Sequence, residues 1–201
     1  MTRRHGEAGF TAVELLVACA VGALVLVGGL ELLRVHVAVA RLLQVRLAAL
    51  GGTAWALTVA SRDVATAGGD PRRAGVDALP TAAVDRAILG ADRDGDGSVD
   101  PATAERVTLA WSSSGGGRLV RWLGNQSVGI AATVRSTGLR FRYFDGAGAE
   151  LTGPGGVLDE AARQRVRLVT VALEATEQSG TMAASTSLRG AAALRTRMEG
   201  R

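Results

Sequence analysis

The sequence predicts an α+β fold: a long N-terminal α-helix, its first half transmembrane, packed on a small antiparallel β-sheet domain. Three observations carry this expectation. From Phe10 to Leu30 only Glu14 is charged, and that stretch is about the length a bilayer core requires. Apolar residues then continue at helical spacing until Gly68-Gly69-Asp70-Pro71, a cluster that ends helices. Beyond it, apolar residues alternate with polar ones in short segments separated by Gly, Asp and Ser, the period of half-buried strands.

The helix does not stop where the apolar run stops. Leu32, Val35, Val39 and Leu42 recur at three- and four-residue spacing, with Arg34 and Arg41 on another face. Helical character to about Ala67 makes a rod of roughly 80–90 Å at about 1.5 Å per residue. Its second half needs a partner surface, which a sheet on one side supplies. Gly22, Gly28 and Gly29 interrupt the first half. They serve either close helix packing or local loosening of the helix, each at a cost of about 1 kcal/mol relative to alanine.

After Pro71 the chain reads as loop-rich, with a short helix expected at Thr81–Leu89. Strands are expected at Arg106–Trp111 and Arg118–Leu123, joined through the turn Ser112–Gly117. Further strands are expected at Val128–Val134 and Leu139–Phe144, the latter followed by an Asp145-Gly146 turn. Arg165–Ala175 is the longest alternating segment, and a last strand is expected near Ser185–Arg189. The implied division is 1–9 leader, 10–30 membrane segment, 31–67 continuation of the helix and 68–201 β domain.

The chain has 201 residues and a formal charge of +4, with every positive charge on arginine and none on lysine. The arginines are scattered singly with few aromatics, whereas a nucleic-acid groove wants a clustered basic stripe with stacking rings. Coding bias toward Ala, Gly, Val and Arg accounts for them. Cys19 is the single cysteine and lies inside the apolar run. No intrachain disulfide is available, and the thiol reads as a small apolar packing residue.

Three readings compete for the N-terminus. A secretory signal peptide needs a small-residue cleavage site after its apolar run, and no such boundary follows Leu30. An ordinary anchor explains the length but not Glu14. A carboxylate in a membrane helix costs several kcal/mol and is usually functional. Glu14 sits one helical turn after Phe10. A cut between Gly9 and Phe10 creates an α-amine that gives this carboxylate a cationic partner, in its own chain or a neighbour's, and the pair specifies axial register.

Gly9-Phe10-Thr11-x-x-Glu14-Leu15, behind a short leader carrying Arg3 and Arg4, resembles the processing and methylation motif of type IV pilins and type II secretion pseudopilins. The resemblance implies that Gly9 is the last leader residue and Phe10 the N-methylated first residue of the mature chain. It implies that Glu14 acts in subunit assembly. The implied partners are other pilin or pseudopilin subunits, the prepilin peptidase/methyltransferase and an inner-membrane assembly platform. The basic leader keeps the N-terminus cytoplasmic and the β domain periplasmic. A weaker resemblance covers the order of the strands. A hairpin, then Phe-Arg-Tyr-Phe-Asp-Gly, then a long Arg-Val-Arg-Leu-Val-Thr-Val strand, is similar to PilW-type and J-type minor pilins. Major pilins close their C-terminal region with a disulfide that this chain cannot form, which favours a minor subunit.

Asp92-Arg93-Asp94-Gly95-Asp96-Gly97-Ser98-Val99-Asp100 is the other strong local signal. Aspartates at loop positions one, three and five with glycine at six match the start of a calcium loop. Ca²⁺ wants several hard oxygens, alternate residues converge on one point, and glycine permits the sharp turn. Ser98 would offer its carbonyl, and Asp100 would act through water. The second half departs from the pattern: position twelve is Thr103, Glu105 comes two residues late, and Pro101 disturbs the exit. Two readings therefore stand, a weak extracellular calcium site and an acidic surface turn with Asp100 capping a short helix at Pro101.

Catalytic constellations are missing from the sequence pattern. His5 lies in the leader and His36 on the helix, which leaves no His-centred triad or zinc cluster for the exported domain. Asp63 and Asp159-Glu160 read as surface acids. The expectation is a structural subunit rather than an enzyme. The alternative is a membrane-tethered calcium-binding adhesin or DNA-uptake tip subunit.

Overall fold

The computed structural model describes residues 10–114 and 117–194. It is an α+β protein: a long N-terminal helix whose later turns pack on antiparallel sheets. The first element, α1, spans Ala12–Thr66. Thr11 and Glu14 begin it as a reciprocal capping pair. The Thr11 hydroxyl accepts from the Glu14 backbone N–H at 3.3 Å, and Glu14 Oε2 accepts from the Thr11 backbone N–H at 2.9 Å. This satisfies donors that a helix start otherwise leaves open. Residues up to Leu43 and residues from Gln44 onward form two compact units.

Within the first unit the apolar side chains stand exposed, among them Val13, Leu16, Leu24, Val25, Leu26 and Leu33. This segment is long and apolar enough to cross a membrane. Burial on α1 begins at Val45 and follows helical spacing through Ala49, Thr53, Ala56, Leu57, Ala60, Asp63 and Val64. Leu32, Val35 and Val39, expected to seek a partner surface, are exposed instead. The buried stripe consists mostly of small residues, which lets the helix sit close to a sheet. Gly190 shows how close. A Cβ built there would lie 3.0 Å from Ser61 Oγ and 3.7 Å from the Leu57 side chain.

Among the described residues nine strands follow, in two sheets rather than the one expected. The first sheet is β1 (Thr81–Ala82), β2 (Arg86–Gly90), β3 (Arg106–Ser112), β4 (Arg118–Leu123) and β5 (Gln126–Ala132), hydrogen-bonded in chain order. The second contains β6 (Val134–Phe144), β7 (Glu150–Leu151), β8 (Leu168–Ser179) and β9 (Met182–Ala193), in the order β7-β6-β8-β9. All pairs are antiparallel. A 3-10 turn, Pro154–Gly156, and a short helix α2, Glu160–Arg165, precede β8.

Three expectations are corrected. Thr81–Leu89 is not a helix but β1 and most of β2, because both strands pair into the first sheet. The segment after Asp100 is a turn, in which Asp100 Oδ1 accepts from the Ala102 N–H at 2.8 Å. Residues at the start of the expected strand Arg165–Ala175 belong to α2 and its exit. Asp159 caps that helix, accepting from the Ala162 N–H at 2.8 Å.

The core lies where the two sheets and the later turns of α1 meet. On β6, Leu139, Phe141 and Tyr143 point inward, opposite Leu173, Val171 and Val169 of β8. Arg140 and Arg142 alternate outward, as a half-buried strand demands. Each large apolar side chain fully buried in this way contributes about 1.5–3 kcal/mol. Tyr143 carries a hydroxyl into the core and satisfies it on the Ala83 carbonyl at 2.8 Å. Burial pushes its phenol well above the ordinary range.

Candidate functional site

Three places concentrate chemistry: the start of α1, the acidic loop, and an ion pair beneath the first sheet. At the helix start, Gly9 lies outside the described residues. Phe10 precedes α1 and is exposed. Glu14 is engaged locally, its Oε2 also accepting from the Thr11 hydroxyl at 3.0 Å. The carboxylate thus has backbone and hydroxyl donors within its own chain. Cys19 is exposed on the same segment.

The acidic loop is folded by its own carboxylates. Asp92 is buried and accepts from the Gly95 and Gly97 N–H groups at 2.6 and 3.0 Å. Both glycines have positive φ, +77° and +92°, which brings their N–H groups back toward Asp92 and would strain another residue. Asp94 accepts from the Asp96 N–H at 3.0 Å, and Asp96 accepts from Ser98 N–H and Oγ at 2.7 and 2.8 Å. Backbone and hydroxyl donation from Ser98 holds the Asp96 carboxyl below its ordinary value. The result places one oxygen each of Asp92, Asp94 and Asp96 within 4.8 Å of one another. Three like charges at that spacing repel by about 1 kcal/mol per pair even in water. Asp100 is outside this group and is spent on its own turn.

Glu105, too late in the sequence to serve as a twelfth ligand, has a different role. It is buried, and its carboxylate takes the N–H groups of Arg93 at 2.7 Å, Asp94 at 3.2 Å and Asp100 at 2.9 Å. These backbone donors hold its carboxyl below the ordinary value. Its late position, wrong for a twelfth calcium ligand, suits a staple that closes both ends of the loop. The signal in the sequence was a lone glutamate at the entrance to a strand, which any exposed edge also carries.

Asp63, expected on the surface, is 5% exposed. It receives Arg121 Nε at 2.6 Å and Nη2 at 2.7 Å, a two-point contact between α1 and β4. The Asp63 carboxylate raises the guanidinium above its already high value.

These features define a class by architecture: a long apolar N-terminal helix with a capped, acid-bearing first turn, packed through its later turns on antiparallel sheets. No protein-family model, curated protein or solved structure matches the chain.

Proposed function

We propose that this chain is a minor pilin or pseudopilin. In this reading it is a structural subunit that enters a type IV pilus or type II secretion-like filament through its N-terminal helix, in an initiating or tip complex. The observation that carries the reading is the pairing of two features on α1. Its first part exposes an apolar surface through Leu33 that is broken by charge only at Glu14 and Glu31, and its last turns are anchored in a folded β domain. Such a chain sits in the inner membrane with its leader cytoplasmic and its β domain periplasmic, and exchanges lipid for neighbouring helices on assembly. Prepilin peptidase/methyltransferase acts on Gly9 and Phe10, and an inner-membrane platform receives the product. The mass of the chain isolated from membranes tests this directly. The expected product lacks the first nine residues and carries a methylated Phe10, and Gly9→Leu retains the leader. A mature chain that begins elsewhere overturns the reading.

The convergence of Asp92, Asp94 and Asp96 favours a second element, a calcium ion held by these carboxylates, with Ser98 completing the set through its carbonyl. Such an ion relieves the repulsion within the cluster, and it makes the calcium-dependent adhesin the alternative reading. At a concentration about 10- to 100-fold above the dissociation constant, calcium is expected to stabilise the domain by about 1–3 kcal/mol. Thermal unfolding with calcium and with chelator reads the shift. The double replacement Asp94→Asn, Asp96→Asn is expected to abolish it. Identical melting under both conditions removes the ion.

A further inference from the structure

The solvent face of the first sheet carries a second feature that filament assembly does not use. Strand register puts Arg86 opposite Ala110, Thr108 opposite Trp122, and Ser112 opposite Arg118. The alternate residues Ala87, Leu109 and Leu119 are fully buried. Arg86, Thr108, Ala110, Ser112, Arg118 and Trp122 therefore share one face, Ala110 itself being buried. With Trp111 and Ser113, all of them but Arg118 line an open cleft of about 440 Å³, toward the lower end of the range for small-molecule sites.

The cleft is built rather than incidental. Trp111, opposite Leu119, packs partly against the core, and its indole N–H donates to the Val134 carbonyl at 2.7 Å, which fixes the strand beside the cleft. Trp122 projects from near the end of β4, a strand flanked by β3 and β5. A pre-ordered aromatic surface loses little freedom on binding. The Arg86 guanidinium has no hydrogen bond or ion pair among the described residues, and neither does the Trp122 indole N–H. In the same domain Arg121, Arg142 and Arg165 are committed to carboxylates. Among the described residues Arg86 is thus an uncommitted cation in a cleft that Trp122 and three hydroxyl-bearing side chains, Thr108, Ser112 and Ser113, also line.

We propose that this cleft binds a carboxylated sugar, a uronic-acid unit of an acidic polysaccharide. The C–H face of a pyranose ring packs on an indole, as other apolar surfaces do. Its hydroxyls exchange hydrogen bonds with Thr108, Ser112 and Ser113. Its carboxylate takes the fork of the Arg86 guanidinium, whose planar donors match two carboxylate oxygens. The competing occupant, a single nucleic-acid strand, also stacks on tryptophan but needs a succession of cations along its phosphates. Among the described residues the cleft lining contains one.

The inference stands apart from filament assembly and is tested on the full chain in detergent micelles. D-galacturonate, neutral D-galactose and a short oligothymidylate serve as probes, read by saturation-transfer NMR. Galacturonate is expected to bind saturably and about tenfold more tightly than galactose. Arg86→Gln is expected to remove that tenfold preference without changing the melting temperature, because the side chain it replaces has no partner among the described residues. Trp122→Leu is expected to weaken both sugars about tenfold or more. No saturable galacturonate signal at tens of millimolar overturns the proposal. So does an unchanged galacturonate affinity in Arg86→Gln, or tighter, salt-sensitive binding of the oligothymidylate.

Discussion

Asp63→Ala is expected to destabilise the folded domain by about 3 kcal/mol, at the lower end of the 3–5 kcal/mol seen when one partner of a buried ion pair is removed. The lower end applies because the Arg121 side chain keeps 19% of its exposure, so water reaches part of the abandoned guanidinium. The cost arises less from the lost attraction than from leaving a cation beneath the first sheet with two of its donors unmet. In a chain of this size about 3 kcal/mol lowers the melting temperature by roughly 6–12 °C. Denaturant unfolding of the single variants Asp63→Ala and Arg121→Ala and of the double variant measures the coupling. The double variant is expected to be more stable than the sum of the single losses implies, because no charge is then stranded. The exposed pair Glu31–Arg34, joined at 2.7 Å, is the control. Glu31→Ala is expected to change stability by less than about 1 kcal/mol despite the similar distance, since both side chains are well exposed. A loss below about 1 kcal/mol in Asp63→Ala would show that the buried contact behaves as a solvated one.

The same pair shows why some of this protein was legible in its sequence and some was not. Periodicity is local, so α1 was expected to end near Ala67 and does end at Thr66. Arg118–Leu123 matches β4 residue for residue. The partner of Asp63 lies 58 residues away, and nothing around an aspartate that follows Arg62 in the last turns of a helix announces it. Thr81–Leu89 failed for a related reason. Its alanines and its Ile-Leu end suit a helix, but Arg86–Gly90 finds a full antiparallel partner in Arg106–Ala110, and pairing outweighs weak local preference. The split into two sheets depends on which strands meet after the chain reverses. β6 passes over its sequence neighbour β5 to pair with β8, a choice that alternation along one strand does not encode.

The acidic loop was legible in half. Asp92, Asp94 and Asp96 converge as alternate positions should, whereas Asp100 and Glu105 went to the backbone. Three N–H groups that would otherwise be left without partners inside a tight loop draw Glu105 inward. A ligand pattern records only residues that face the ion. It is silent on the carboxylate that holds the loop's ends together.

Glu14→Ala is expected to leave cleavage after Gly9 intact and to abolish entry into filaments, and Glu14→Gln decides why. This side chain has one observed role and one proposed role. It caps the first turn with Thr11, and in the proposed assembly it would meet, as an anion, the α-amine that processing would create on Phe10 of its own chain or a neighbour. Glutamine keeps the cap, since an amide oxygen accepts from the Thr11 N–H as a carboxylate does, but it cannot form the ion pair. Loss of the cap alone costs about 0.5–2 kcal/mol, too little to unmake a helix continuing to Thr66. In the proposed filament, loss of that charge pair would leave an ammonium group uncompensated among helices, at a cost of about 3–5 kcal/mol per subunit contact. Incorporation of Glu14→Gln is therefore expected to fail as completely as that of Glu14→Ala, with both proteins processed and retained in the membrane fraction. Filament entry by Glu14→Gln at the wild-type level would reduce the residue to a helix cap, and entry by Glu14→Ala would remove it from assembly altogether.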